Sequence, residues 1–381
     1  MIDSQTYRNR QMRISEYLNA EGTDAGVIVD FEGLRSRSLR YLCGQPSDAL
    51  LFLFADGKSL LVPWDVPLSR SLATADETIA YETFSRREAV CIQAIVRDRG
   101  IRRIELPGYF PYPLIRTLKR ALAGVSVECR SDGIEQAVNV LRIKKDKQEI
   151  EALREACRIS DRLIEQVPAM FAAKNEVSEL ELAMFLESEA RRRGAEGMGF
   201  DTLAASSRRS FAIHCFPNFT TETIGTEGFS LLDFGVRFSG YTSDVTCTLV
   251  RPPITAAGRA MIEAVEEAYE LAQTLCGPGA DPVLVGERIQ EHFENRGMHM
   301  PHSLGHGIGL DAHEAPLFRR QSPGSEDRGG QPLEAGMVFT IEPGLYDPAQ
   351  GGVRLENDFL CTENGVEVLT SARIIYLSRG A

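Results

Sequence analysis

Polar and apolar residues alternate at helical spacing from about Gln5 to Leu18, and the pattern stops before Gly22. Ala25 to Val29 then reads as a short buried strand, and Ala49 to Ala55, the turn Asp56-Gly57 and Ser59 to Pro63 predict a hairpin. Helical stretches at Glu88 to Asp98 and Leu114 to Ala123 interleave with strands at Arg103 to Glu105 and Val125 to Cys129. That rhythm is the one expected of a small α/β domain of about 130 residues.

A charged run, Arg142-Ile143-Lys144-Lys145-Asp146-Lys147, precedes a long amphipathic stripe carrying Ile150, Leu153, Cys157 and Ile164. We place the domain boundary there, giving residues 1–138 and 139–381, and read the basic residues as the solvated start of a helix. Ser178-Glu179-Leu180-Glu181 is a capping box opening a helix that carries Leu182, Phe185 and Leu186. Two more helices are expected over Ala257 to Cys276 and Leu284 to Arg296, with Gly297 closing the second. The fold class is therefore mixed, α/β with α+β character in the larger domain.

Four strand-like stretches interrupt their apolar pattern with an acid. Leu231 to Gly235 carries Asp233, and Tyr241 to Val250, returning after Ser239-Gly240, carries Asp244. Met337 to Gly344 carries Glu342, and period-2 alternation along Gly352 to Leu360 puts Arg354, Glu356 and Asp358 on one face. An ionised carboxylate in such a strand is costly to bury unless it is paired or bound to metal. One alone has a bland explanation: Asp244 serving the turn, or Asp233 pairing with Arg237. Four amount to a constellation, and adjacent antiparallel strands can aim Asp233 and Asp244 into one cavity.

The segment Pro301 to Pro316 holds three of the six histidines, His302, His306 and His313, among Gly305, Gly307 and Gly309, which allow close approach to a bound group. With His306 added, four carboxylates and one imidazole make a mostly oxygen donor set suited to Mn²⁺, Fe²⁺, Co²⁺ or Zn²⁺. Four negative ligands also balance the charge of two divalent metal ions.

Composition narrows the partners. At 381 residues two domains are the expectation. A net charge of −12 argues against nucleic acid and anionic membrane surfaces, which need a basic footprint. The first residues have no apolar secretory core, and no run approaches the roughly 18 apolar residues of a membrane span. Eight scattered cysteines with no Cys-x-x-Cys pair read as reduced thiols of a cytoplasmic protein.

From about Lys144 to the end, these residues in this order resemble the pita-bread metallopeptidases, which include methionine aminopeptidase, aminopeptidase P and prolidase. The resemblance implies that Asp233 is a terminal ligand of one metal, and that Asp244 and Glu356 bridge two. His306 in Gly305-His306-Gly307-Ile308-Gly309 and Glu342 in Thr340-Ile341-Glu342-Pro343 would be the terminal ligands of the other. It further implies catalytic roles for His214, His313 and Glu342 and substrate contact for His302 and Arg354. The first domain is similar to the creatinase-like domain of aminopeptidase P and prolidase. The expected activity is thus a two-metal, manganese-preferring cleavage of the bond before proline in a small peptide, by a homodimer.

There are departures and rivals. Thr246-Cys247-Thr248 stands where the proline-specific branch usually has Thr-Arg-Thr, and Ser206-Ser207-Arg208-Arg209-Ser210 replaces a glycine- and asparagine-rich stretch. Both are compatible with a small non-peptide substrate, as in the similar ectoine hydrolases and dimethylsulfoniopropionate lyases. A non-catalytic binding module is the remote alternative; such proteins typically lose ligands, and here all five are present. Residue by residue, His214 has the reading of a satisfied core histidine, and Arg354 that of a partner to Asp358; His292 and His299 are taken as structural.

Overall fold

A computed structural model of the protein describes residues 2–30, 36–174, 176–319 and 331–377. The chain forms two compact units, Met1–Arg142 and Ile143–Ala381. Among the described residues, no helix is long and apolar enough to cross a membrane.

In the first unit, helix Ser4–Ala20 is started by Asp3, whose side chain accepts the Thr6 N–H, and it buries Tyr7, Ile14 and Leu18. A six-stranded sheet runs in the order Glu77–Thr78, Ser59–Pro63, Ala49–Phe54, Ala25–Asp30, Arg103–Pro107, Ser126–Arg130. Ala49–Phe54 and Ser59–Pro63 make the expected hairpin. Ala25–Asp30 pairs antiparallel with Ala49–Phe54 and parallel with Arg103–Pro107. Both central strands are buried along their whole length, which is why they read as apolar runs rather than alternations. Two acids lie inside this unit. Glu105 accepts hydrogen bonds from Tyr17 (3.0 Å), Arg130 (3.3 Å) and the Ile134 N–H (3.1 Å), and Asp30 accepts the N–H groups of Ser36 and Asp48 (both 3.0 Å).

The second unit begins with helix Lys147–Ala173, opened by a reciprocal capping box: Asp146 accepts the Gln148 and Glu149 N–H groups, and Glu149 accepts that of Asp146. Ser178 and Glu181 do the same for helix Glu179–Arg192. Helices Ala256–Leu275 and Pro282–Glu294 follow, and Gly297 after the second adopts φ +68°. One sheet orders Ile375–Tyr376, Val245–Arg251, Gly228–Phe234 and Leu203–Ala205; another orders Glu314–Leu317, His306–Gly307, Val338–Ile341, Asn357–Thr362 and Gly365–Val368. An isolated antiparallel bridge between Thr246 and Glu356 ties the first sheet to the chain just ahead of Asn357–Thr362. Leu232, Phe234, Val245 and Leu249 are wholly buried between strands and helices, each contributing about 1.5–3 kcal/mol of apolar burial.

Three expectations need correcting. The return strand is two pieces, Tyr241–Thr242 and Val245–Arg251, with Asp244 in the gap, because the Asp244 N–H goes to the Asp358 carboxylate (3.0 Å) rather than to a strand neighbour. Gly352 to Leu360 likewise divides into Gly351–Arg354 and Asn357–Thr362, leaving Glu356 in the break. The basic run is only half solvated: Lys144 and Lys147 are exposed, but Arg142 and Lys145 are buried, and Lys145 Nζ lies 3.3 Å from Glu314.

Candidate metal centre

The strand breaks are what bring the acids together. Glu342 follows Val338–Ile341 directly, Asp233 is next to last in Gly228–Phe234, and Asp244 and Glu356 occupy the two gaps. Asp244, His306 and Glu356 each bring a ligand-capable atom within 4.8 Å of the other two. His306 Nε2 lies 3.7 Å from Asp244 and 3.5 Å from Glu342. Its Nδ1 is 3.2 Å from the Gly307 carbonyl, an acceptor, so Nδ1 carries the proton and Nε2 offers its lone pair to the carboxylates. Burial first, and His313 second, lower the His306 pKa to about 3, so the ring is a neutral ligand.

Asp233 pairs with Arg354, not Arg237. Its Oδ2 receives Arg354 Nη2 at 2.5 Å, while its Oδ1 is buried with no hydrogen bond. Arg354, expected at the substrate, is 2% exposed and has four of its five N–H groups bonded: besides the Nη2 bond to Asp233, Nε goes to Thr246, and Nη1 to the Ile213 carbonyl and to Tyr346. Asp358 is not its partner. Tyr346 in turn lies 3.0 Å from His302 Nε2, and His302 Nδ1 is 2.8 Å from the Ser303 carbonyl. His302 is therefore held at both nitrogens, 3.9 Å from Glu342, with burial lowering its pKa to about 4.

His214 is exposed, not a core histidine. Burial raises the proton affinity of Asp233 against the pull of Arg354, and burial lowers that of His313. His313 is also exposed, its ring 4.1 Å from that of His306. His292 rests edge-on against Phe293, and His299 beside Gln290, apart from this cluster. Gly305 and Gly307 make room for protein rather than substrate: a Cβ there would meet the Thr340 and Ala315 carbonyl oxygens at 2.1 and 2.0 Å.

Thr246, Thr340 and Tyr346 belong to the site although the sequence did not single them out. Thr246 donates to Glu356 (2.7 Å) and Thr340 accepts the His306 N–H (3.3 Å). The available signal was Thr246 and Thr248 alternating with Val245, Cys247 and Leu249, one polar face in an apolar strand. That alternation also explains Cys247: it turns away from Arg354 into the wholly buried core.

Burial, then mutual repulsion, pushes Asp244 and Glu342 well above the usual carboxylate range, and burial followed by Asp233 pushes Glu356 to about 7. Among the described residues, Arg354 is the one guanidinium hydrogen-bonded to any of the four acids, through Asp233. Carboxylate oxygens, a neutral imidazole and an orphaned Asp233 Oδ1 are a donor set that fits divalent cations. Such a centre between two sheets defines a metallohydrolase.

Comparison with known proteins agrees. The model of metallopeptidase family M24 matches residues 151–363. A putative dipeptidase of Bacillus subtilis, YkvY, is 30% identical over 374 residues, covering 95% of this chain and 97% of that protein. An Xaa-Pro dipeptidase of Pyrococcus horikoshii is 30% identical over 370 residues, covering 94% and 95%. The structure of an Xaa-Pro dipeptidase from Bacillus anthracis superposes with a TM-score of 0.84 at 26% identity, covering 97% of this chain and 100% of that one. The chain belongs to metallopeptidase family M24, a metal-dependent family, and shares its pita-bread fold.

Proposed function

We propose that the protein is an Xaa-Pro peptidase, a dipeptidase or aminopeptidase that hydrolyses the amide bond before proline with manganese as its working metal. The observation that carries this reading is the convergence of Asp244, His306 and Glu356 in a buried carboxylate cluster, in a chain similar along nearly its whole length to Xaa-Pro dipeptidases. Asp233, Asp244, His306, Glu342 and Glu356 would hold two divalent ions, and the preponderance of oxygen donors favours Mn²⁺. Bound there, such ions polarise the scissile carbonyl and lower the proton affinity of water.

The chain's own groups do the rest. His313, exposed beside His306, donates a hydrogen bond to the carbonyl oxygen as charge develops on it. Glu342 relays the proton given up by the attacking water to the prolyl nitrogen as the amide C–N bond breaks. His214 completes the substrate side. Arg354 works through Asp233 and Tyr346 rather than by touching substrate, since it is 2% exposed and four of its five N–H groups are bonded within the chain.

A panel of Xaa-Pro dipeptides and longer peptides, offered to metal-free protein reloaded with Mn²⁺, Co²⁺, Zn²⁺ or Fe²⁺, tests this. Highest turnover of an Xaa-Pro peptide with Mn²⁺ is expected; turnover of ectoine or dimethylsulfoniopropionate with none of any peptide would overturn it. A homodimer in a reducing, cytoplasmic compartment completes the proposal, supported by the family resemblance and by eight free thiols; sedimentation equilibrium checks the dimer.

A further inference from the structure

The two exposed histidines of the site, His214 and His313, come from irregular chain, where no ladder of backbone hydrogen bonds fixes a side chain. Each of these segments is tied down by one buried ionic residue at the foot of a helix. Lys145, immediately before the capping residue of Lys147–Ala173, has a side chain only 1% exposed. Its Nζ lies 3.3 Å from Glu314 Oε2, and Glu314 Oε1 accepts the Asp311 N–H at 3.0 Å, closing the turn that holds His313. The Lys145 N–H is itself bonded to the Gly336 carbonyl (2.8 Å), so the anchor point is fixed to the sheet.

Glu179, first residue of helix Glu179–Arg192, has the opposite charge and plays the same part. It is wholly buried, accepts the Ser206 N–H at 2.6 Å, and accepts the Thr220 N–H and hydroxyl, both at 2.7 Å. One carboxylate thus clamps both ends of the segment that carries His214. Arg209 pairs with Glu179 and reaches the Pro217 carbonyl across the loop, and Arg354 holds the carbonyl of Ile213, next to His214.

Buried ion pairs are a poor source of stability, because desolvation offsets most of their attraction and apolar replacements often serve as well. What these groups add is direction: several bonds that can be satisfied together in one loop geometry only. We propose that Lys145 and Glu179 are positioning residues, each setting one substrate-facing imidazole, His313 and His214 respectively, against the metal cluster. The assignment rests on the peptidase reading above for its kinetics but not for its geometry.

The test uses two neutralised pairs in the metal-loaded protein, Lys145→Met with Glu314→Gln, and Glu179→Gln with Arg209→Met, each also built on His313→Ala and on His214→Ala. Removing both partners avoids a lone buried charge. Cooperative melting and the Co²⁺ absorption spectrum should stay as in the wild type. Each pair removal should lower kcat/KM on an Xaa-Pro dipeptide by about 10- to 100-fold, the loss expected when a reacting group is displaced by about an ångström. The Lys145 pair should add nothing on His313→Ala and its full loss on His214→Ala; the Glu179 pair should do the reverse. Equal losses on both backgrounds, or none in either pair, would overturn the assignment. Should a double variant not fold, Glu314→Asp keeps the charge and shortens the reach; an intermediate loss is expected, and none would count against the proposal. If the wild type cleaves no Xaa-Pro peptide, the peptidase reading fails and the geometry is still decided by proton NMR of the metal-free protein. The His313 ring signals, shifted by the adjacent His306 ring, should move when the Lys145 pair is removed and stay when the Glu179 pair is removed; signals unmoved in both would overturn it.

Discussion

Glu105 and Glu356 are both buried carboxylates, the first inside a strand and the second in a break between strands, and the chain treats them in opposite ways. In the first unit Glu105 is surrounded by Tyr17, Arg130 and the Ile134 N–H, a full set of donors supplied by the protein itself. In the second, Glu356 shares its space with Asp233, Asp244 and Glu342, and what offsets its charge among the described residues is the Thr246 and Thr340 hydroxyls and the nearby charge of Arg354, itself bonded to Asp233. A buried acid is costly until its charge is met. Where the protein meets it from within, the acid is structural; where four acids are crowded around one guanidinium, the arrangement is made to be completed by cations.

The largest expected effect breaks the second region. Asp244→Ala or Glu356→Ala should reduce metal-dependent turnover by more than the roughly 100-fold typical of losing a ligand's supporting partner; full activity in either would sink the metal assignment. Next comes pH. In metal-free protein Glu356 keeps its proton up to about 7 when folded, but only to about 4.5 when unfolded. Between those values the folded chain binds more protons, so its stability should fall as pH rises, by a few kcal/mol in all. Urea titrations at pH 5 and 7.5 should show this with EDTA present and not with saturating Mn²⁺; equal metal-free stability at both would contradict it.

Arg354→Met and Arg130→Met sharpen the contrast directly. The first leaves Asp233 buried without its partner and should cost about 3–5 kcal/mol, together with most of the activity. The second leaves Glu105 with Tyr17 and Ile134, and since Arg130 is about a third exposed it should cost about 1 kcal/mol and leave kcat/KM unchanged. Thermal melts and initial rates on the same preparations compare them. Smallest of all, Cys247→Ala should cost about 1 kcal/mol of core packing and leave metal affinity and KM as they were, because the thiol faces the core and not Arg354.

Much of this was legible in the sequence where the signal is local. The capping box at Ser178, the hairpin around Asp56-Gly57 and acids interrupting apolar strands all depend on residues a few positions apart. What stayed hidden depends on partners far along the chain. Arg354 reaches Asp233 across 121 positions, Cys157 reaches Asp358 across 201, and Lys145 reaches Glu314 across 169. A lysine in a basic run looks solvated until its acid is folded against it. The two strand breaks were hidden for a related reason: period-2 alternation presumes an unbroken ladder, and only Asp358 shows why the Asp244 N–H leaves it.

Gly305 and Gly307 have a practical consequence for anyone who wants to redirect the enzyme. The carbonyl oxygens of Thr340 and Ala315 occupy the space where their side chains would begin. Backbone cannot step aside as a side-chain tip can, so a saturation library across Pro301 to Pro316 should return almost nothing but glycine at these two positions. Combinatorial effort aimed at new substrates is better placed at Phe216, whose side chain stands 90% exposed outside the bonds that clamp the His214 segment.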